Sequence, residues 1–408
     1  MIALKDIIKR FSDRTLFVTA SGSVSYREFG NMVMDWDGRS GPMMPGNLKW
    51  SPGAFAEFLA SMQNEPVTAL CELPKRGDLE PFLQYQPLLV LKSGGTTGKP
   101  KHVVHAVSKL FGKYTVLERA PSRSLILFEA DHIAGLDAFF QTLHRGGTLV
   151  IPQNRGATGI VRAIEEHNVD VLPATPTFLQ FLLLSGVLED RPLESVQKIP
   201  HGAEPMPKQL RRRLQAAFPK ARLIQRFGLT ELGALPVKED PRDPSALRLA
   251  GKGFAWKIED DELLIKSPTQ MLGTLEDGPL AEDETWYRTG DVAESSAAGA
   301  IRVLGRREAM INVGGRKVLP ETVESFILEQ EGVLDVAVYP ESNRLTGQTV
   351  AADVVFEQDP VPALWLRSLR KIAISKSMDL AHVPTHIRPV KTIRKTRVGK
   401  RLRRPLKT

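Results

Sequence analysis

Between residues 124 and 228, short runs of apolar and β-branched residues alternate with segments whose apolar positions recur every three or four residues. The runs at 124–128, 148–151, 169–172 and 222–225 predict strands. The periodic stretches near 136–144, 159–167, 177–184 and 208–218 predict helices, each opened or closed by Gly or Pro. This alternation predicts an α/β fold with largely parallel βαβ sheets. After residue 262 the texture shifts to short strands and turns, as at 262–266 and 300–304. A charged joint, Gly305-Arg306-Arg307-Glu308, then precedes a helix at 319–330, strands at 334–339 and 349–356 and a helix at 362–377, which together predict a small α+β unit. The expected division is a large domain over 1–304, a joint at 305–308 and a small C-terminal domain over 309–408.

The 408 residues give room for two or three domains, and 42% hydrophobic with 25% charged residues is ordinary globular composition. The longest apolar stretch, 178–188, is broken by Gln180, Ser185 and Gly186, short of the roughly 18 apolar residues of a membrane span. Residues 1–11 place Leu4, Ile7, Ile8 and Phe11 at helical spacing among charges, unlike a signal peptide. The single cysteine, Cys71, offers no internal disulfide, so a reducing, cytoplasmic setting is expected. The net charge of +8 raises the question of nucleic-acid binding. Its location answers it: ten basic residues and no acid fall after residue 385, and the remaining 45 basic against 47 acidic residues leave the body at −2. A basic tail, not a basic face, is expected, and no nucleic-acid partner.

Ser93-Gly94-Gly95-Thr96-Thr97-Gly98-Lys99-Pro100-Lys101 follows the apolar run 87–91. Glycines let backbone N–H groups converge on an anion, the hydroxyls add donors and lysine adds charge, so the loop suits a polyphosphate. A Walker loop needs four residues between its glycines and a Ser or Thr after the lysine; here three separate Gly94 from Gly98, and Pro100 follows Lys99. The loop resembles the signature of the AMP-forming adenylating enzymes, the superfamily of acyl-CoA synthetases, nonribosomal-peptide adenylation domains and luciferases. Four further segments match in the same order: Phe227 to Glu231, Tyr287 to Asp291, Gly305-Arg306 through Gly314 to Pro320–Glu324, and Thr396 to Lys400. The resemblance runs from about Tyr26 to the C-terminus and is nearest to acyl- or aryl-CoA ligases. It implies a small mobile C-terminal domain, with the active site between it and the large one.

The resemblance implies a role for each matched residue. Ser93, Gly94, Gly95, Thr96, Thr97, Gly98 and Lys101 would hold the nucleotide phosphates. Phe227, where the family usually has tyrosine, would stack on adenine beside the loop Gly202-Ala203-Glu204. Thr230 would contact the α-phosphate, and Glu231 would help hold Mg2+, a hard cation that prefers oxygen ligands. Asp291 would accept hydrogen bonds from the ribose hydroxyls, joined by Arg306. Glu308 falls at the hinge. Lys400 would be the catalytic lysine, a cation between the attacking carboxylate and the α-phosphate. His132 and Gly135, in a His-x-x-Gly segment, would border the acyl pocket, where amino-acid-activating domains carry aspartate; Gly314 and Gly315 would line the thiol channel. His102 and His105 have i, i+3 spacing but no carboxylate beside them in the sequence, and read as structural. Only 67 positions separate Tyr26 from Ser93, fewer than in full-length relatives, so the N-terminal region is expected to be trimmed.

The expected activity is ATP-dependent conversion of a carboxylic acid, aryl or fatty, to acyl-AMP, followed by transfer to the thiol of coenzyme A. The alternative acceptor is the phosphopantetheine arm of a carrier protein, whose acidic surface would suit the basic tail. A non-catalytic regulator of the same fold is the other rival, and the presence of Thr230, Glu231, Asp291 and Lys400 together argues against it.

Overall fold

The computed structural model describes residues 4–36, 48–74, 76–93, 101–114, 121–189, 191–281, 286–296, 299–358, 360–394 and 401–403. The parallel sheet expected from the βαβ pattern is built from the strands Thr15–Thr19, Thr148–Val150 and Arg123–Leu125, all parallel, with Gly22–Ser25 antiparallel at its edge. Bridges from Ser124 to Val171 and from Val171 to Lys198 continue it to the parallel pair Lys198–His201 and Arg222–Gln225. Residues 169–172 are thus a crossing point and not the expected strand. Pro173 lacks an N–H and interrupts the ladder, so pairing resumes only at Ala174.

The helices Ile133–Arg145, Ala157–Glu166, Pro176–Leu184 and Lys208–Ala217 match the expected four. The first begins three residues earlier than its apolar period suggests, because the His132 ring accepts the Ala134 N–H as an N-cap. The Pro176 helix has Thr175 as N-cap and proline at its first position, where a missing N–H costs nothing. On one side of the sheet, Phe17, Phe29, Phe55 and Phe139 pack ring against ring, with Phe55 and Phe139 centroids 4.3 Å apart. The Tyr26 hydroxyl is buried beside them and donates to the carbonyls of Thr142 and Gly147, at 3.1 and 3.0 Å.

A second sheet orders Gly278–Pro279, Gly273–Thr274, His102–Ala106, Leu88–Lys92 and Val67–Ala69. A third, wholly antiparallel, is made of six strands between Val237 and Arg306, of which the three after residue 261 fall in the region read as short strands and turns and the three before it do not. The segment 311–389 forms its own sheet from Ile311–Val313, Arg316–Val318, the long hairpin Val333–Asn343 with Gly347–Phe356, and His386–Pro389. The helices Pro320–Leu328 and Pro362–Ser375 cover it. Among the described residues each buried apolar cluster lies wholly before residue 304 or wholly after 310. Across the joint, Gln180 donates from its amide nitrogen to the Leu334 carbonyl and accepts from Arg401 at 3.1 Å, and Gln209 donates to the Glu329 carbonyl at 3.2 Å. No helix among the described residues is long and apolar enough to cross a membrane.

Candidate active site

The strand Leu88–Lys92 delivers Ser93, which is buried, to the start of the glycine-rich loop, and Lys101 stands at its end. The two ends are clamped together: the Ser93 N–H donates to the Lys101 carbonyl at 2.9 Å, and the Lys101 N–H donates to Ser93 Oγ at 3.3 Å. Gly94, Gly95, Thr96, Thr97 and Gly98 lie outside the described residues, as does Lys400. The Lys101 ammonium is engaged by Asp277 at 2.7 Å, which is the first cause raising its pKa, and the Glu231 carboxylate adds to that field from across the site.

Phe227 leads into a tight hairpin, with Gly228 paired to Ala234 and Leu229 to Gly233, so that Thr230 and Glu231 sit at its tip. The tip is fixed by its backbone. The Met271 N–H donates to the Glu231 carbonyl at 2.8 Å, and the buried His105 ring reaches the Thr230 carbonyl with Nε2, also at 2.8 Å. A carbonyl accepts only, so His105 carries its proton on Nε2. Burial lowers its pKa to about 4 and keeps the ring neutral. Among the described residues the half-buried Glu231 carboxylate takes no hydrogen-bond partner, which leaves its oxygens for a cation or ligand. The loop Gly202-Ala203-Glu204 is pressed against the chain just before Phe227: a Cβ on Gly202 would stand 2.6 Å from the Arg226 carbonyl, and Ala203 has φ +68°. A side chain in that left-handed conformation is held there by its surroundings, a kind of strain that concentrates at ligand sites. The Glu204 carboxylate is taken by the N–H and hydroxyl of Thr177, at the N-terminus of the Pro176 helix.

Asp291 and Arg306 are direct partners in the register of the two antiparallel strands Tyr287–Ser295 and Ile301–Arg306. Arg306 Nε meets Asp291 Oδ1 at 3.0 Å, and the same guanidinium donates to the Thr289 carbonyl at 2.9 Å. The strand around them is fixed by Arg288, which pairs with Glu262 at 2.6 Å, and by the Thr289 hydroxyl on the Leu263 carbonyl at 2.8 Å. Tyr287 and Phe227 both pack on the edge of the same apolar cluster. The Tyr287 hydroxyl is held well above its ordinary pKa by burial first and then by the field of Glu231, with Asp291 adding to it and Arg306 opposing. Glu231, Tyr287, Asp291 and Arg306 therefore share one electrostatic neighbourhood, with Lys101 facing Glu231.

His132 caps the Ile133–Arg145 helix, and Gly135 is buried against the turn before it, where a Cβ would lie 2.1 Å from the Glu129 carbonyl. Only glycine permits that approach. Gly314 and Gly315 form the exposed turn between Ile311–Val313 and Arg316–Val318, with φ of +58° and +87°; their N–H groups bond Thr346 and Asn312 of the same unit. Glu308 is exposed in the single 3-10 turn Arg307–Ala309 that joins the third sheet to the C-terminal one. Thus the structure gathers Ser93, Lys101, Thr230, Glu231, Asp291 and Arg306, with the Gly202–Glu204 loop against the Phe227 chain, while Gly314 and Gly315 contact their own unit. The two histidines part company. His102 Nδ1 meets Glu276 at 2.6 Å, a carboxylate 174 residues on that nothing local announces, while His105 serves the Thr230 loop. No cluster of three metal-ligating side chains occurs among the described residues.

The chain matches the AMP-binding enzyme family over residues 56–274 and the C-terminal domain of AMP-binding enzymes over 322–400. It is 30% identical over 285 residues to 3-[(3aS,4S,7aS)-7a-methyl-1,5-dioxo-octahydro-1H-inden-4-yl]propanoyl:CoA ligase of Mycobacterium tuberculosis, covering 65% of this chain and 56% of that protein. It is 29% identical over 319 residues to 2-succinylbenzoate--CoA ligase of Bacillus pumilus, covering 71% and 64%. The chain thus spans less than two thirds of the length of either. In fold it is similar to an anthranilate CoA ligase solved with anthranoyl-AMP, with a TM-score of 0.77 at 19% identity over 98% of this chain and 95% of that one. The ATP-bound MatB of Rhodopseudomonas palustris gives 0.76 at 18% identity over 98% and 96%. With the first match alone spanning more than half its length, this chain belongs to the AMP-binding enzyme family.

Proposed function

We propose that the chain activates a carboxylic acid with ATP and transfers the acyl group to the thiol of coenzyme A. The substrate carboxylate oxygen attacks the α-phosphorus, the bond to the β-phosphate oxygen breaks, and pyrophosphate leaves. The thiolate then attacks the acyl carbon and AMP leaves with the shared oxygen. The observation that carries this reading is the Asp291–Arg306 pair standing in the same field as Glu231 and Tyr287. A carboxylate held by a guanidinium can accept from two vicinal hydroxyls, and Glu231 would supply an oxygen to a phosphate-bound cation. Mg2+ fits this donor set, because it is commonly bound by one or two carboxylates together with substrate phosphates and keeps its remaining waters. Glu231 would hold it, and when bound it neutralises phosphate charge. Thr230 would donate to the α-phosphate, Phe227 would stack on the base beside Gly202–Glu204, Ser93 to Lys101 would cradle the distal phosphates, and Gly314 and Gly315 would meet the thiol after the 309–408 unit turns about Glu308.

The test is acid-dependent pyrophosphate release over aryl, short-chain, long-chain and amino acids, repeated with coenzyme A and with a holo carrier protein. Release with an aryl or fatty acid and thioester formation with coenzyme A support the reading. Thioester only on the carrier favours the second acceptor, and no release with any acid defeats the enzyme reading. Lys400→Ala should lower adenylation by about 10²–10³ while sparing thioester formation from prepared acyl-AMP, because the charge is needed only when phosphorus is attacked.

A further inference from the structure

A half-buried polar network outside the motifs links the Ile133–Arg145 helix to the hairpin that carries Thr230 and Glu231. Lys113 Nζ donates to Asp137 Oδ1 at 3.1 Å on the Ile133–Arg145 helix and to the Ala234 carbonyl at 2.8 Å on the hairpin that carries Thr230 and Glu231. The Tyr114 hydroxyl shares Asp137 Oδ1, and Gln141 Nε2 donates to Oδ2 at 2.7 Å. Lys113 also lies 5.0 Å over the Tyr114 ring. The pair is not sealed: the Lys113 and Asp137 side chains keep 23% and 15% of their exposure. Behind it the space is filled, since the Tyr114 ring packs on Phe111, Phe140 and His144, and the Phe111 and Phe140 centroids are 4.0 Å apart.

We infer that Lys113 and Asp137 form the end wall of the acyl site and restrict it to compact acids. This rests on the proposed function, in which the reacting carboxylate would meet the α-phosphate beside Thr230, and on the resemblance that sets His132 and Gly135 at the border of the acyl pocket. From that start the group would run along the helix toward its contact with the hairpin, the seam that Lys113 bridges. Asp137 lies five residues beyond His132, about 7.5 Å along the helix axis, which is the length of one substituted benzene ring or a chain of about six carbons. A longer alkyl chain would press methylenes onto a lysine–aspartate pair, stripping its remaining water without returning a hydrogen bond, and this is unfavourable. A hydroxyl or amino group on a ring at that distance would meet partners instead.

The experiment compares kcat/KM for acid-dependent pyrophosphate release with hexanoate, benzoate, 3-hydroxybenzoate, decanoate and hexadecanoate. It uses the wild type, Asp137→Leu and the double variant Lys113→Met/Asp137→Leu, each with a thermal melt. Decanoate is expected at least tenfold below hexanoate in the wild type, and the decanoate-to-hexanoate ratio should rise at least tenfold in the double variant, whatever happens to the absolute rates. Asp137→Leu alone should melt lower than the double variant, because it leaves Lys113 buried without its counter-charge. Wild-type use of hexadecanoate as good as hexanoate, or a ratio unmoved in a double variant that melts normally, overturns the inference while adenylation stands. Should no acid release pyrophosphate, the melting shift produced by each acid with ATP decides: a shift from compact acids only keeps the wall and sinks the reaction, and a shift from none or from all sinks the wall as well.

Discussion

Replacing Asp291 by alanine tests the ribose reading most directly, because the structure lets its effects on binding and on stability be separated. Asp291 is buried and holds Arg306 at 3.0 Å, yet Arg306 keeps 35% of its side-chain exposure and its bond to the Thr289 carbonyl. After truncation the guanidinium can turn to water, so the stability cost should be about 1 kcal/mol rather than the 3–5 kcal/mol of a pair broken in a sealed interior. Binding should lose more. One hydrogen bond from a hydroxyl to a carboxylate contributes about 1.5–3 kcal/mol, or about 10- to 150-fold in Kd, and two would lose more. Titration calorimetry with ATP, 2′-deoxy-ATP and 3′-deoxy-ATP on wild type and Asp291→Ala closes a cycle between residue and hydroxyl. The wild type should discriminate against at least one deoxynucleotide, and the variant should bind all three alike. An unchanged ATP affinity with an unchanged melt refutes the assignment. So does a variant that still penalises the deoxynucleotides as strongly as the wild type.

Three further outcomes follow from particular contacts. Gly135→Ala should lower the melting temperature sharply, by the equivalent of several kcal/mol, since its Cβ meets a backbone carbonyl at 2.1 Å that has no rotamer to yield with. His105 and His201 are buried and held neutral, their pKa values lowered from 6.5 to about 4 and about 3, so the unfolded chain takes up protons first as pH falls. Their contribution is fully present above pH 6.5 and is lost as pH drops below it, down to about 4 for His105 and about 3 for His201; urea unfolding at pH 7.5, 6, 5 and 4 should show the decline, and His105→Gln with His201→Gln should flatten it. Asp335→Ala, which leaves the deeply buried Arg401 without its partner at 3.0 Å, should destabilise by about 3–5 kcal/mol, with much of the loss restored by adding Arg401→Met, as read by denaturant unfolding.

The strand and helix periods of the sequence carried well wherever packing follows a local rhythm. Residues 222–225 and 262–266 are strands with the expected bounds, and the Pro176 helix starts at the expected place because Thr175 and Pro176 are adjacent start signals. The pattern failed at 169–172, where β-branched residues stand beside a proline that breaks the ladder, and at the Phe227–Ala234 hairpin, whose two-residue strands are too short for any period to register. The site divides the same way. Thr230, Glu231 and Asp291 could be proposed from the sequence because each sits in a contiguous motif. The groups that hold them were not: His105 reaches Thr230 across 125 residues, and Lys113 reaches Ala234 across 121. Such contacts exist only once the chain has folded, and a histidine 125 residues away from its carbonyl leaves no spacing to read.

The distribution of strong and weak contacts around residue 308 bears on how a C-terminal unit could change its pose. Its buried ion pairs are internal to it: Arg403 holds Glu321 and Glu324, and Arg401 holds Asp335. Turning the unit as a body leaves these pairs intact, and Arg401 would give up only the more distant field of Glu204 and its bond to Gln180. The contacts that cross the joint are of another kind. Gln180 and Gln209 bond neutral carbonyls or a guanidinium, and water can replace each of those bonds at about 0.5–1.5 kcal/mol apiece. One close steric approach among the described residues, Gly305 against Glu321, involves a residue with no side chain to unlock; a Cβ there would fall 2.4 Å from the carboxylate. Among the described residues the joint is thus built from exchangeable amide contacts and a bare glycine, between two bodies that share no apolar cluster. Burying a single large apolar side chain at Gln180, as in Gln180→Phe, should shift the balance toward whichever pose covers it.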